Sequence, residues 1–133
     1  MKIKRAGQHV KAFVVSDNVF GDVSVTLTPS GIEKYIGTKK FTFLHRYIYN
    51  IPIELCYPDD IPSGSMYCIY GDEKVKGSAI IFGYDDDIRS LTPFEIDVIR
   101  SCSNMMKLDG VNQLLVGKIT KEPSGCPLEI AIE

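Results

Sequence analysis

The chain has no tryptophan, only two histidines, and no marked excess of charge of either sign. Lys and Arg number 15 against 17 Asp and Glu, a formal net charge of −2. A general nucleic-acid binder carries a basic surplus that releases counterions from phosphates. A whole-surface mimic of DNA carries a large acidic surplus. Neither describes the average, and a local patch of either sign stays open. The four cysteines, at 56, 68, 102 and 126, form no CxxC pair, and two histidines leave no recognisable zinc spacing. No apolar run approaches the roughly 20 residues of a membrane span. The start, MKIKRAGQHVKAFVV, is basic and then apolar, but Ala12 to Val15 is too short for a signal-peptide core. The expectation is a cytosolic protein with reduced thiols and no membrane association. P-loop, EF-hand and G-x-S-x-G patterns are all missing.

What is present suits one globular domain over residues 1–133, with 44% hydrophobic residues to build a core. Val10 to Val15 and the alternating Val23 to Leu27 predict a hairpin around Asp17-Asn18 and Gly21-Asp22, with a loop of five to seven residues. Pro29 suits the first position of a short helix over about 29–36, Ser30 and Glu33 match a capping box, and Gly37 is its stop. Phe41 to Tyr49 and Ile51 to Tyr57 read as strands broken at Asn50, and Pro52 argues against a central place for the start of the second. A turn-rich loop over 58–64 comes next, then strands over 66–70 and 75–82, with Gly77 suggesting a bulge.

The strongest signal is SLTPFEI. Thr92 is the expected N-cap, Pro93 sits at N1, Glu95 completes a capping box, and Leu91 with Ile96 forms a hydrophobic staple. Val98, Ile99, Cys102, Met105 and Met106 extend an apolar stripe, so the main helix is predicted over about 93–107, ending before Asp109-Gly110. Gln113 to Thr120 and Pro127 to Ile132 complete the strands. The fold class expected is α+β, a mostly antiparallel sheet with this main helix and the short one.

Asp85, Asp86 and Asp87 raise three readings. As metal ligands they are poorly placed, because adjacent residues of an extended strand point to opposite sides and at most two of the three converge. As a solvated turn before the helix they need no function. As an acidic contact they would meet a basic partner. His45-Arg46, downstream of Lys39-Lys40, is the best basic feature, interleaved with Phe41, Phe43, Tyr47 and Tyr49. In a strand the aromatics share a face with His45, while Arg46 takes the other, so a core face competes with a base-stacking platform. Cys56 or Cys68 with His45 is a conceivable nucleophile pair, though buried cysteine is common and no signature surrounds either. The tyrosines of the middle third, among them Tyr47, Tyr49 and Tyr84, cannot all be buried, and tyrosine favours contact surfaces.

SGIEKYIG, the strand pair after it, and VKGSAIIFGYDDDIRSLTPFEIDVI together resemble a family of small uncharacterised phage and plasmid proteins, DUF3846. The features are Ile32 to Gly37, Gly77 to Gly83, and Ser90-Leu91-Thr92 with Ile96, spanning about residues 30–107. The chain departs from the family's Asn-Glu-x-Gly-Lys hairpin, carrying Cys56-Tyr57-Pro58-Asp59-Asp60 nearby. The resemblance implies a mobile-element origin and no established enzyme activity, and it assigns no functional residues.

The leading expectation is a small non-catalytic binding protein, with no cofactor and no metal. It would modulate a host protein in the host cytoplasm, a component of a defence system included. Its candidate contacts are Asp85, Asp86, Asp87, Tyr84, Arg89, Lys39, Lys40, Arg46, Tyr47 and Tyr49. The second reading is sequestration of a nucleotide, with Lys39, Lys40, Arg46 and Arg89 holding phosphate. The third is a metal-dependent hydrolase using the clustered aspartates. A homo-oligomer paired through the C-terminal LEIAI strand is a further expectation.

Overall fold

The computed structural model describes residues 6–16, 19–59, 67–70, 73–76, 78–108, 111–116 and 119–123, with the backbone alone at 67–70, 73–76, 104–108 and 111–116. The elements run β1 (His9–Val15), β2 (Phe20–Thr26), α1 (Pro29–Ile36), β3 (Phe41–Ile48), β4 (Ile51–Pro58), β5 (Tyr67–Tyr70), β6 (Glu73–Lys76), β7 (Ala79–Tyr84), β8 (Ile88–Arg89), α2 (Pro93–Ser101), β9 (Ser103–Leu108), β10 (Val111–Val116) and β11 (Ile119–Thr120). The fold is α+β and dominated by sheet. A large sheet has the order β11-β3-β4-β7-β1-β2, with β8 added to β7. A smaller sheet has the order β6-β5-β10-β9. All pairings are antiparallel except β5 with β10.

Strand alternation divides the core of the large sheet into two faces. Phe13 and Val15 of β1, Ile53 and Leu55 of β4, and Ile81 of β7 pack with Leu91, Ile96 and Ile99 around α2. Val14, Cys56, Ile80 and Phe82 point the other way and pack with Ile32 and Ile36 of α1. The two helices therefore cover opposite faces. These strands are apolar on both sides, as sheet buried on two faces requires.

The helix starts obey local chemistry. Thr28 caps α1 by accepting the Gly31 N–H at 3.0 Å, so the cap is Thr28 and not Ser30, and Pro29 holds the N-terminal position. Gly31 is needed for packing, since a Cβ there would lie 2.2 Å from the Thr26 carbonyl oxygen of β2. Gly37 closes the helix in the left-handed conformation, φ 89°, donating to the Glu33 carbonyl. At α2, the Thr92 hydroxyl accepts the Glu95 N–H at 3.2 Å and the Glu95 carboxylate accepts the Thr92 N–H at 2.9 Å, the reciprocal box expected.

The far end of α2 differs from expectation. The helix stops at Ser101, and Ser103 to Leu108 is strand β9, so Met105 and Met106 belong to a strand and not to a helical stripe. Ser103 donates its hydroxyl to the Ile99 carbonyl, which a longer helix would have used, while the Val98 carbonyl accepts both the Cys102 N–H and the Ser101 hydroxyl. β9 then pairs with β10 along its whole length. Asp109-Gly110, read as the helix stop, lies outside the described residues, and its flanks Leu108 and Val111 are cross-strand partners.

Other boundaries moved less. The β1–β2 connection spans four residues, 16–19, against the five to seven expected, and Asp17-Asn18 lies outside the described residues. β4 is internal, between β3 and β7, yet Pro52 pairs only with Tyr47 of β3, because the β7 ladder begins at Ile53. The single strand expected over 75–82 is two, β6 and β7, in different sheets. The strand expected over 113–120 is likewise β10 and β11. Gly77, most of the 58–64 loop and the 127–132 strand lie outside the described residues.

Candidate functional site

The β3–β4 hairpin turns on two residues, Tyr49 and Asn50, since Ile48 pairs with Ile51. That turn sets the register. It places His45 opposite Glu54, and the β4–β7 ladder places Glu54 opposite Phe82. One row inward, Phe43, Cys56 and Ile80 stand side by side. One row outward, Tyr47 pairs with Pro52, and Tyr84 lies at the end of β7. All these residues face the α1 side of the sheet.

The inner part of this face is core. Phe43 and Phe82 meet at 6.1 Å between centroids, and Phe41 stands edge-on to Phe43 at 5.7 Å. The outer part is open. Tyr47 and Tyr84 are half-buried and His45 is exposed. The His45 ring lies 4.9 Å from Tyr47 and 5.0 Å from Tyr84, edge to face with each. Its Nδ1 faces Glu54 Oε1 at 3.3 Å.

Glu54 is the unusual member. It is 2% exposed, and its Oε2 has no hydrogen-bond partner among the described residues. Burial pushes its carboxyl above the ordinary range, with the His45 imidazole pulling the other way. A carboxylate buried with one long contact is costly, and a buried oxygen left without a donor costs about 1–3 kcal/mol. Glu95 shows what a fully satisfied glutamate looks like here. Arg89 donates to both its oxygens at 2.7 Å, and Thr92 supplies the third bond.

The sequence-predicted residues divide between faces. Tyr84 and Tyr47 join this site. Arg46 lies on the opposite face, opposite Ile53, and donates to the His45 carbonyl. Arg89 also points to the α2 side, across Gly83, where it is held by Glu95. Lys39 and Lys40 are exposed, just before β3. Tyr49 is buried in the α2-side core at φ 56°, with its hydroxyl 3.9 Å from Cys102 Sγ, so it is no exposed contact. Arg46 and Arg89 thus stand on the other face of the sheet from Tyr47 and Tyr84, and Lys39 and Lys40 lie ahead of β3.

Asp85 to Asp87 form the turn of the β7–β8 hairpin, not a plain approach to the helix. The Asp85 N–H donates to the Asp87 carbonyl at 2.9 Å, and Asp86 takes the left-handed conformation, φ 60°. Asp85 and Asp86 are exposed while Asp87 is buried. Among the described residues no three His, Cys, Asp or Glu side chains are grouped to hold a metal. Asp59 accepts the Thr42 hydroxyl, and Asp60 lies outside the described residues. Cys56 is fully buried and its thiol is pushed far up by desolvation, so it presents no thiolate to His45. Cys68 is described by its backbone alone. No helix among the described residues is long and apolar enough to cross a membrane.

Sequence reasoning passed over Glu54. Part of the signal was present: IPIELCY holds one carboxylate inside an otherwise apolar run, but its pairing with His45 follows from the two-residue turn at Tyr49-Asn50. A groove of about 320 Å³ lies between α2 and β1–β2, lined by Lys11, Asp22, Ile96 and Arg100 among others. Its charges already meet one another, Asp22 standing 3.7 Å from Lys11 and 3.2 Å from Arg100. No family model, no curated protein and no solved structure matches the chain.

Proposed function

We propose that the protein is a non-catalytic binding protein that engages a basic partner protein through the open end of the β3–β4–β7 face. The observation that carries this reading is the grouping of Tyr47, Tyr84 and exposed His45 over the buried Glu54 carboxyl. Half-buried tyrosines give large contact area at low entropy cost, and a desolvated charge beneath them rewards a complementary group. The exposed Asp85 and Asp86 come directly after Tyr84 and extend the same charge outward. Taken with the resemblance over residues 30–107, the partner is a protein of the host cell, and a defence component is one such target.

Nucleotide sequestration and metal-dependent hydrolysis are less well supported. A carboxylate at the centre of the tyrosine site repels phosphate, and Arg46 and Arg89 are turned to the other face. The test is affinity capture from host lysate on wild-type protein and on a Tyr47→Ser/Tyr84→Ser variant. The expected result is a protein retained by the wild type and lost by the variant, with the variant's melting temperature close to wild type. Equal retention by both would overturn the assignment of this face.

A further inference from the structure

The buried carboxylate narrows the chemistry of the partner, given the reading that this face binds one. We infer that the site takes a guanidinium: an arginine side chain of the partner displaces the His45 ring from between Tyr47 and Tyr84 and bonds both oxygens of Glu54.

Four observations carry this. First, Glu54 is short of donors. One oxygen has only the His45 contact at 3.3 Å, and the other has none among the described residues. Two under-used acceptors on one carboxylate match the fork of a guanidinium, which delivers two parallel N–H groups. An ammonium is a point charge and fills such a pair less well. Second, the room beside the carboxylate is lined by rings. His45 now stands there edge to face with Tyr47 and Tyr84 at 4.9 and 5.0 Å. A planar, nitrogen-bearing ring that meets a carboxylate between two aromatics is a stand-in for a planar cation, which would add cation–π attraction to both tyrosines. Third, the stand-in can leave. The His45 side chain is 41% exposed, and exposed side chains exchange rotamers quickly. Fourth, the protein itself builds the same pairing elsewhere. Arg89 satisfies Glu95 with two bonds at 2.7 Å on the other face of the sheet. Glu54 has the burial of Glu95 and lacks its arginine.

The chain pays for an unfilled Glu54 in stability, and a partner's arginine would remove that penalty on binding. In the free protein the His45 ring holds the one contact to the carboxyl, and the arginine takes its place on binding.

The probe is the peptide acetyl-Gly-Arg-Gly-amide, with its lysine and citrulline counterparts, titrated into the full chain while backbone amide NMR signals are followed. The expected result is saturable shifts centred on His45, Glu54 and Tyr84 with the arginine peptide, at least about tenfold weaker binding of the other two, and loss of the shifts in Glu54→Gln. Tyr84→Ser is the second variant, because it trims a half-exposed ring and leaves the carboxyl in place; it should weaken the arginine peptide severalfold. Equal binding of the arginine and citrulline peptides, or of arginine and lysine, would overturn the inference. So would unchanged binding to Glu54→Gln, or no saturable shift up to roughly 50 mM peptide. A captured partner that depends on Tyr47 and Tyr84 but not on Glu54 would leave the binding face standing and remove the guanidinium alone.

Discussion

Glu54 Oε1 lies 3.3 Å from Nδ1 of His45, directly across the β3–β4 ladder, and this is the only polar contact the carboxyl makes among the described residues. The two buried glutamates among the described residues thus differ in kind. Glu95 locks α2 to β8 and builds the fold. Glu54 is left short of donors at a place where the surface is aromatic and open, as the proposed binding face requires.

That contrast predicts a trade of stability against binding. Glu54→Leu should leave the protein at least as stable at pH 8, with a gain of about 1 kcal/mol, because a buried, half-paired charge is replaced by an apolar group. The sign with pH comes from the raised carboxyl. A carboxyl that holds its proton more tightly when folded costs nothing below the unfolded value, near 4.5, and its cost grows as pH climbs above it. The Leu variant's advantage should therefore be larger at pH 8 than at pH 4 in urea titrations. A large loss of stability at pH 8 would contradict it.

Arg89→Ala should destabilise by about 3 kcal/mol, since it strands a buried carboxylate. Burial alone would raise the Glu95 carboxyl, but the bonds from Arg89 and Thr92 outweigh it and leave it lowered. A lowered carboxyl contributes stability above its ordinary value, near 4.5, and that contribution fades as pH falls through the folded value. The gap between wild type and Arg89→Ala should accordingly narrow below about pH 4, measured by chemical denaturation.

Gly83 exists to let that arginine cross the sheet. A Cβ at Gly83 would sit 2.8 Å from Arg89 Nη1 and 3.1 Å from the Arg89 carbonyl oxygen. Gly83→Ala should cost more than about 1 kcal/mol, and its cost should fall when combined with Arg89→Ala, because the two act on one contact. A double-mutant cycle with additive effects would contradict this.

Asp85→Asn with Asp86→Asn should change stability by no more than about 0.5 kcal/mol, both side chains being exposed. Binding of the captured partner should weaken at low salt, and the difference from wild type should shrink at high salt, where exposed charges are screened. Calorimetry at two salt concentrations reads this. Asp87 is left in place because it is buried.

The sequence was most informative where one local rule acted alone. Thr92-Pro93 with Glu95, and Gly37 after Ile36, specify helix ends through bonds within a few residues, and those ends stand where expected. It was misleading where two rules fitted the same letters. Cys102, Met105 and Met106 satisfy a helical stripe, and Asp109-Gly110 suits either a helix stop or the two-residue hairpin signal. The choice went to the strand because β10 offers β9 a partner, and that partner is invisible in the local pattern. The candidate site was half legible. Alternation put His45, Tyr47 and the phenylalanines on one face and split Arg46 from them. Bringing Glu54 under His45 required the register, and bringing Tyr84 beside them required the β4–β7 pairing, which joins residues about thirty apart in sequence. The aspartates, readable as metal ligands, as a solvated turn or as an acidic contact, form the turn of the β7–β8 hairpin, because Ile88 and Arg89 pair back onto β7.

The most direct test of the binding face is the dissociation constant of the captured partner for wild type and for Tyr47→Ser/Tyr84→Ser, measured by calorimetry on proteins of matched melting temperature. The expected result is at least about a thirtyfold loss, the order seen when two aromatic contacts at the centre of an interface are removed. An unchanged constant would contradict it and place the partner on another surface.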